Sequence, residues 1–181
     1  MNYLGIDKAS ISNGPGVRVV LWVSGCKVHC KGCQNPESWD FNAGKLFDDK
    51  AKQELFDALS KPYIHGLTIS GGHPLEKENI ADVYRLVGLV KTHFPHKDIW
   101  LYTGRKLQYN DFNGGEHFLV DGDYPIIADT SMLLYYCDVV VDGPYIEEQR
   151  DITLRFRGSK NQRLIDVKET IKQGEIITIQ N

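Results

Sequence analysis

The sequence predicts an α/β protein: a partial, open (βα) barrel with a mostly parallel sheet, smaller than a complete eight-stranded barrel. Three observations predict it. Apolar, strand-like runs alternate with segments of helical period, which implies right-handed βαβ units and a parallel sheet. Each run ends in a cysteine loop or a glycine-bearing turn, and ligands of such sheets bind at that C-terminal edge. The chain has 181 residues, whereas a closed (βα)8 barrel takes about 250. Four clear strands therefore leave an edge wide enough to admit another protein. Residues 1–181 read as a single domain with a sizeable core.

The elements are justified in chain order. Asn13-Gly14-Pro15-Gly16 is a tight turn by composition. Arg18-Val19-Val20-Leu21-Trp22-Val23-Ser24 is β-branched and almost continuously apolar, the pattern of a buried parallel strand. The cysteine loop hangs from its C-terminal end. Asp48 can cap a helix running to about Leu59, with Ala51, Leu55, Ala58 and Leu59 on one face. A second strand, Gly66 to Ser70, ends in Gly71-Gly72-His73-Pro74. A helix from about Lys77 to Phe94 follows, with Ile80, Val83, Tyr84, Val87 and Val90 facing inward, and Pro95 ends it. Asp98 to Tyr102 is a third strand closed by Thr103-Gly104, and Cys137 to Val141 a fourth closed by Asp142-Gly143-Pro144. Residues 108–136 between them read as a loop or hairpin insertion with one helical turn near Met132. Asp121-Gly122-Asp123 lacks the twelve-residue calcium pattern and reads as a plain turn. Two short strands, near Leu164–Val167 and Glu175–Ile179, finish the chain.

Composition narrows the function classes. A net charge of −3 gives no reason to expect nucleic acid or an anionic membrane as partner. No apolar run approaches the ~18–20 residues of a membrane-spanning helix. The start, MNYLGIDKAS, lacks the basic and apolar regions of a signal peptide. Clustered, unpaired cysteines then suit the reducing cytoplasm. Cys137, inside the apolar run Leu133-Leu134-Tyr135-Tyr136-Cys137, reads as a buried structural thiol.

The chemistry lies in Cys26-Lys27-Val28-His29-Cys30-Lys31-Gly32-Cys33, a C-x3-C-x2-C loop. Soft thiolates select zinc, copper(I) or an iron–sulfur cluster. A structural zinc wants four ligands, and His29 could be the fourth. A 4Fe–4S cubane held by Cys26, Cys30 and Cys33 alone keeps one iron open to a substrate. Gly25 and Gly32 let the backbone turn tightly around such a group. Gly71-Gly72 lets backbone approach a ligand closely, and its carbonyls can accept hydrogen bonds from an ammonium group.

The cysteine spacing resembles that of the radical S-adenosyl-L-methionine (SAM) enzymes. That resemblance implies that the open iron binds the amino and carboxylate groups of SAM, and that an electron from the cluster breaks its S–C5′ bond. Gly71-Gly72-His73 looks like the Gly-Gly-acid motif that holds the methionine amino group, with His73 in place of the acid. The wider resemblance is to the activating proteins of anaerobic ribonucleoside-triphosphate reductase. It rests on Asn13-Gly14-Pro15-Gly16, Val23-Ser24-Gly25-Cys26, Lys31-Gly32-Cys33, Ser70-Gly71-Gly72, Lys97-Asp98-Ile99-Trp100, Val141-Asp142-Gly143, Arg157-Gly158-Ser159 and Asn161-Gln162-Arg163. It implies SAM contacts at Gly32, Cys33 and Gln34, closed on the methionine side by Gly72. It also implies a glycyl radical raised on the large reductase subunit, with reduced flavodoxin or a similar carrier as electron donor. Two other functions fit the same residues: activation of another glycyl radical enzyme such as pyruvate formate-lyase, and a non-catalytic Cys3His zinc interaction module. Arg157, Lys160 and Arg163 read either as solvated surface or as a docking patch. Asp142 reads as a site contact or a turn residue, and Trp39 as a shield for the loop or a packing residue.

Overall fold

The computed structural model describes residues 1–112, 115–120 and 127–180. The elements run β1 (Asn2–Ser10), β2 (Val17–Val23), β3 (Lys45–Leu46), α1 (Asp49–Leu59), β4 (Ile64–Gly71), α2 (Ile80–His93), β5 (Asp98–Tyr102), β6 (Leu107–Phe112), β7 (Gly115–Val120), α3 (Ile127–Tyr135), β8 (Val139–Asp142), β9 (Arg163–Asp166) and α4 (Val167–Gln173). Among the described residues, seven strands form one sheet in the order β3-β1-β2-β4-β5-β8-β9. The four strands expected from the sequence, β2, β4, β5 and β8, make its parallel centre. Antiparallel strands flank it: β1 against β2, β3 against β1, and β9 against β8. The fold is α/β with a mixed sheet, parallel at its centre and antiparallel at both flanks, and the sheet does not close into a barrel.

The parallel strands occur in the sheet in chain order, so every crossover steps the same way. Right-handed crossovers that never reverse put their helices on one face. The strands alternate accordingly. Val19, Leu21, Val23, Leu67, Ile69, Ile99, Leu101 and Val140 point into the main core with Leu55, Leu59, Val83, Val87 and Leu134 from the helices. On the other face Trp100, Val139, Val141 and Leu164 form a smaller core, with Tyr102, Phe156 and Ile179 packed against it. Each fully buried aliphatic side chain is worth about 1.5–3 kcal/mol.

That second face also takes a buried cation. Arg18 donates through Nε to Thr68 Oγ1 at 2.8 Å, pairs with Asp98 at 2.7 Å and lies 5.5 Å from the centre of the Trp100 ring. Thr68 in turn donates to the Asn13 carbonyl at 2.7 Å. The turn at 13–16 is thereby fastened under the edge of the sheet opposite the cysteine loop.

Local signals explain the helix boundaries. Asp48 caps α1 by accepting the Ala51 amide at 2.9 Å, and Ala51, Leu55, Ala58 and Leu59 are its buried face. α2 starts at Ile80, three residues later than the spacing suggests, because residues 76–79 are spent on turns that fasten the loop after β4. Residues 108–136 hold the β6–β7 hairpin and a nine-residue helix where one turn was expected. The Asp121-Gly122-Asp123 turn lies outside the described residues. Of the two tail strands anticipated, the first is present among the described residues as β9 and the second is not. After β9 comes α4, with Asp166 accepting the Glu169 amide at its start and Gly174 left-handed at its end. Thr178 then makes a single bridge to Ile165. Among the described residues no helix is long and apolar enough to cross a membrane.

Candidate functional site

The loops that follow β2, β4, β5 and β8 meet at one sheet edge around a cleft of about 160 Å³. Cys26, Cys30, Cys33 and Gln34 line it together with Gly71 and Gly72. Residues that sequence reasoning did not assign also line it, among them Tyr102, Tyr145 and Gln162. A larger groove, about 460 Å³, runs beside α1. It is walled by surface charges such as the Lys8–Glu54 pair at 2.8 Å and contains none of the motif residues.

The cysteine loop leaves β2 at Gly25, whose φ is +93°. A Cβ there would lie 2.1 Å from the Phe41 ring, so the position requires glycine. The loop is then held by its own backbone. Gly25 donates to the Ser38 carbonyl at 2.7 Å, Cys26 to the Trp39 carbonyl at 3.1 Å, and Cys33 to the Cys30 carbonyl at 3.1 Å. Asn35 N–H points at Cys33 Sγ, 3.4 Å away. The three thiols are half-buried. Burial pushes the Cys26 thiol up; the Val28 and His29 amides oppose this, and the Glu76 carboxylate adds to it. Burial pushes Cys30 up as well, against a hydrogen bond from the Tyr145 amide. Both thiols therefore stay protonated at neutral pH until a metal displaces the proton.

Gly71 and Gly72 bring β4 into contact with the cysteine loop. Gly72 N–H donates to the Val23 carbonyl at 2.7 Å and His73 N–H to the Gly25 carbonyl at 2.8 Å. A Cβ on Gly72 would come within 2.6 Å of the Gly25 oxygen. His73 does not line the cleft. It is fully buried behind it, with Nδ1 3.1 Å from Glu76 Oε1 and Nε2 2.7 Å from Thr103 Oγ1. Burial pushes its pKa down, so the imidazole is neutral. The network then assigns the tautomer: Nδ1–H donates to Glu76, and Thr103 O–H donates to Nε2. Glu76 Oε1 also accepts the Lys27 amide at 2.9 Å, and Thr103 Oγ1 accepts the Arg105 amide at 3.2 Å. One buried chain of hydrogen bonds thus joins the loops after β2, β4 and β5.

The far wall is the segment 143–163, and it explains the polar tail motif. Gln162 Oε1 accepts the Gly158 and Ser159 amides at 2.8 and 3.2 Å, while its Nε2 donates to the Gly143 carbonyl at 3.1 Å. Asn161 donates to the Pro144 carbonyl at 2.7 Å. Asp142 is a structural residue. Its carboxylate takes Arg163 Nε at 3.0 Å, a second short bond from Arg163, and the Leu107 amide at 2.8 Å. Arg163 is thereby engaged within the fold, and Lys160 lies 3.6 Å from Asp151. At Gly32, with φ +72°, a Cβ would meet the Glu147 carboxyl group at 3.0 Å. Lys31 lies 3.3 Å from both Glu147 and Glu148, which strap the loop from outside. His29 stacks on Trp39 with ring centres 4.6 Å apart.

Three thiols sharing one cleft suit a group that offers each of them its own metal. A zinc draws its thiolates to within ~2.3 Å of one centre, whereas a cubane takes one cysteine per iron. Cys137, 1% exposed and bonded to the Leu133 carbonyl, is a core thiol far from this geometry.

Comparison with known proteins supports an iron–sulfur domain. The family model described as a 4Fe-4S single cluster domain matches residues 12–165. The chain is 42% identical over 164 residues to an anaerobic ribonucleoside-triphosphate reductase-activating protein of Haemophilus influenzae, covering 90% of this chain and 96% of that one. It is 42% identical to the protein of that name from Enterobacteria phage T4, covering 91% and 93%. The Escherichia coli K12 protein of that name is 35% identical, covering 90% and 96%.

Proposed function

We propose a function from the premise those matches establish: the chain belongs to the anaerobic ribonucleoside-triphosphate reductase-activating proteins and carries their single-cluster 4Fe–4S domain. On our reading it activates an anaerobic ribonucleotide reductase by raising a glycyl radical on the large subunit. Cys26, Cys30 and Cys33 hold the 4Fe–4S cluster. When bound, the cluster would supply one electron to break the S–C5′ bond of SAM, and the 5′-deoxyadenosyl group so released would take a hydrogen atom from the substrate glycine.

The remaining steps belong to this chain's own residues. Carbonyls near Gly71 and Gly72 accept hydrogen bonds from the methionine ammonium group, and the backbone at Gly32, Cys33 and Gln34 positions the rest of the cofactor. His73 acts from behind the cleft, so the absence of an acid at that position leaves the backbone contacts intact. Tyr102 and Tyr145 wall the cleft with apolar rings that keep water from a reactive intermediate. The open sheet edge, which winds one way as a partial barrel does, lets a loop of a large partner reach the cleft. The electron donor is reduced flavodoxin or a similar small carrier, and the compartment is the cytoplasm. We read residues 1–181 as one radical-SAM domain.

One observation carries this reading: three free thiols and the Gly71-Gly72 backbone line the same cleft. The test is anaerobic reconstitution with iron and sulfide, reduction, and incubation with SAM and the reductase. A glycyl doublet in the reductase's paramagnetic resonance spectrum, with 5′-deoxyadenosine released, is expected. A loaded, reduced protein that leaves the reductase silent would overturn the assignment.

A further inference from the structure

The sequence pattern drew attention to His73, but the buried network around it centres on Glu76. This carboxylate is 2% exposed. Its Oε1 is 2.9 Å from the Lys27 amide, the residue after Cys26, and 3.1 Å from His73 Nδ1. Lys27 Nζ stands 3.8 Å from Oε2 but is 2.6 Å from Glu78 and half exposed, so solvent and Glu78 weaken its hold on Glu76. The turn carrying Glu76 is itself pinned. Glu76 N–H donates to the His73 carbonyl at 3.0 Å, and Asn79 donates through Nδ2 to the carbonyls of Ser24 and His73 at 2.8 and 3.1 Å.

We propose that Glu76 is a positioning residue for the iron–sulfur group: through the Lys27 amide it fixes the first turn of the cysteine loop, and it places a buried negative charge behind that loop which lowers the cluster's reduction potential. This inference rests on the assignment of Cys26, Cys30 and Cys33 as cluster ligands. Two physical reasons support it. Residues behind the ligands of a metal site orient them and tune the metal. A nearby negative charge disfavours adding an electron, the more so in a low dielectric. His73 and Thr103 extend the same clamp to β5, so the charge and the loop move as one unit.

The test uses the full chain, reconstituted anaerobically, in three forms. Glu76→Gln keeps an acceptor for the Lys27 amide and removes the charge. It should load iron as the parent does and titrate, against redox mediators, at a more positive midpoint potential. Glu76→Asp keeps the charge on a shorter arm and should stay near the parent potential. Glu76→Ala removes the acceptor, and in apo protein its Lys27 amide should exchange with deuterium at least about tenfold faster, the loss expected for one such hydrogen bond. A loaded Glu76→Gln protein with the parent's potential would overturn the electrostatic role. If that variant takes up no cluster, the exchange measurement decides alone, and an unchanged Lys27 rate overturns the proposal. A parent protein that takes up no cluster would instead sink the function proposed above, which separates the two failures.

Discussion

Replacing Gly72 with alanine tests whether the cleft depends on backbone-to-backbone contact. The added Cβ would lie 2.6 Å from the Gly25 oxygen and 3.0 Å from the Gly25 nitrogen and carbonyl carbon. These are backbone atoms, so no side chain can rotate aside. Ordinary contact begins near 3.4 Å, so the cysteine loop and the β4 loop must part by about 0.8 Å. That motion strains the His73 N–H to Gly25 carbonyl bond of 2.8 Å. Overpacking of this kind costs about 1–3 kcal/mol, and the weakened hydrogen bond adds roughly 1 kcal/mol. A total near 2–4 kcal/mol corresponds, for a domain of this size, to a fall of about 4–16 °C in melting temperature. The assay is thermal unfolding of anaerobic apo protein, followed by iron content after reconstitution. Gly88 supplies the control. It lies within α2 with nothing within 4 Å of its Cβ position. Gly88→Ala should therefore stabilise by about 0.5–1 kcal/mol. If Gly72→Ala melts with the parent and loads iron fully, the contact argument is wrong.

Three further outcomes follow from the same geometry. Asp142→Ala removes the acceptor of both Arg163 and the Leu107 amide from a fully buried position, and should cost about 2–4 kcal/mol in urea unfolding, with Asp142→Asn costing less. In native apo protein a thiol reagent should reach the three half-buried cysteines before Cys137, which is 1% exposed and should react only after unfolding. His73 is held neutral in the fold by burial, whereas the unfolded chain protonates it near pH ~6.5. The unfolded state then binds more protons below that pH, so this group's contribution is full above it and is lost as pH falls. His73→Gln should flatten the pH dependence of apo stability between about pH 5 and 7, read from urea midpoints across that range.

The parallel centre was legible because β2, β4, β5 and β8 are buried on both faces and read as short apolar runs. The cysteine loop and Gly71-Gly72 were legible because their residue types are rare in that arrangement. β1 was missed for the converse reason. Asn2–Ser10 carries Asp7 and Lys8 and is mostly half-exposed, because it lies near the edge of the sheet. α4 was missed although its caps, Asp166 and Gly174, are plain in the sequence; Leu164 and Ile165 before it, Val167 at its first position, and Ile176 and Ile177 after it imitate strands. Glu76 was missed because it sits among charged residues after a proline and reads as a solvated helix start. Its partners come from distant parts of the chain: the Lys27 amide directly, and Thr103 through His73. The role of Asp142 depended likewise on Arg163 and Leu107 across the sheet.

The account's central claim is a cubane gripped at three corners, and the most direct measurement is a Mössbauer and paramagnetic resonance study of the reconstituted protein, with and without SAM, alongside single Cys26→Ala, Cys30→Ala and Cys33→Ala variants. The account predicts four irons and four sulfides per parent chain, a reduced-cluster signal that changes when SAM is added, and loss of the intact cluster in each variant. A single metal ion bound by all three thiolates, or a cluster signal indifferent to SAM, would contradict it.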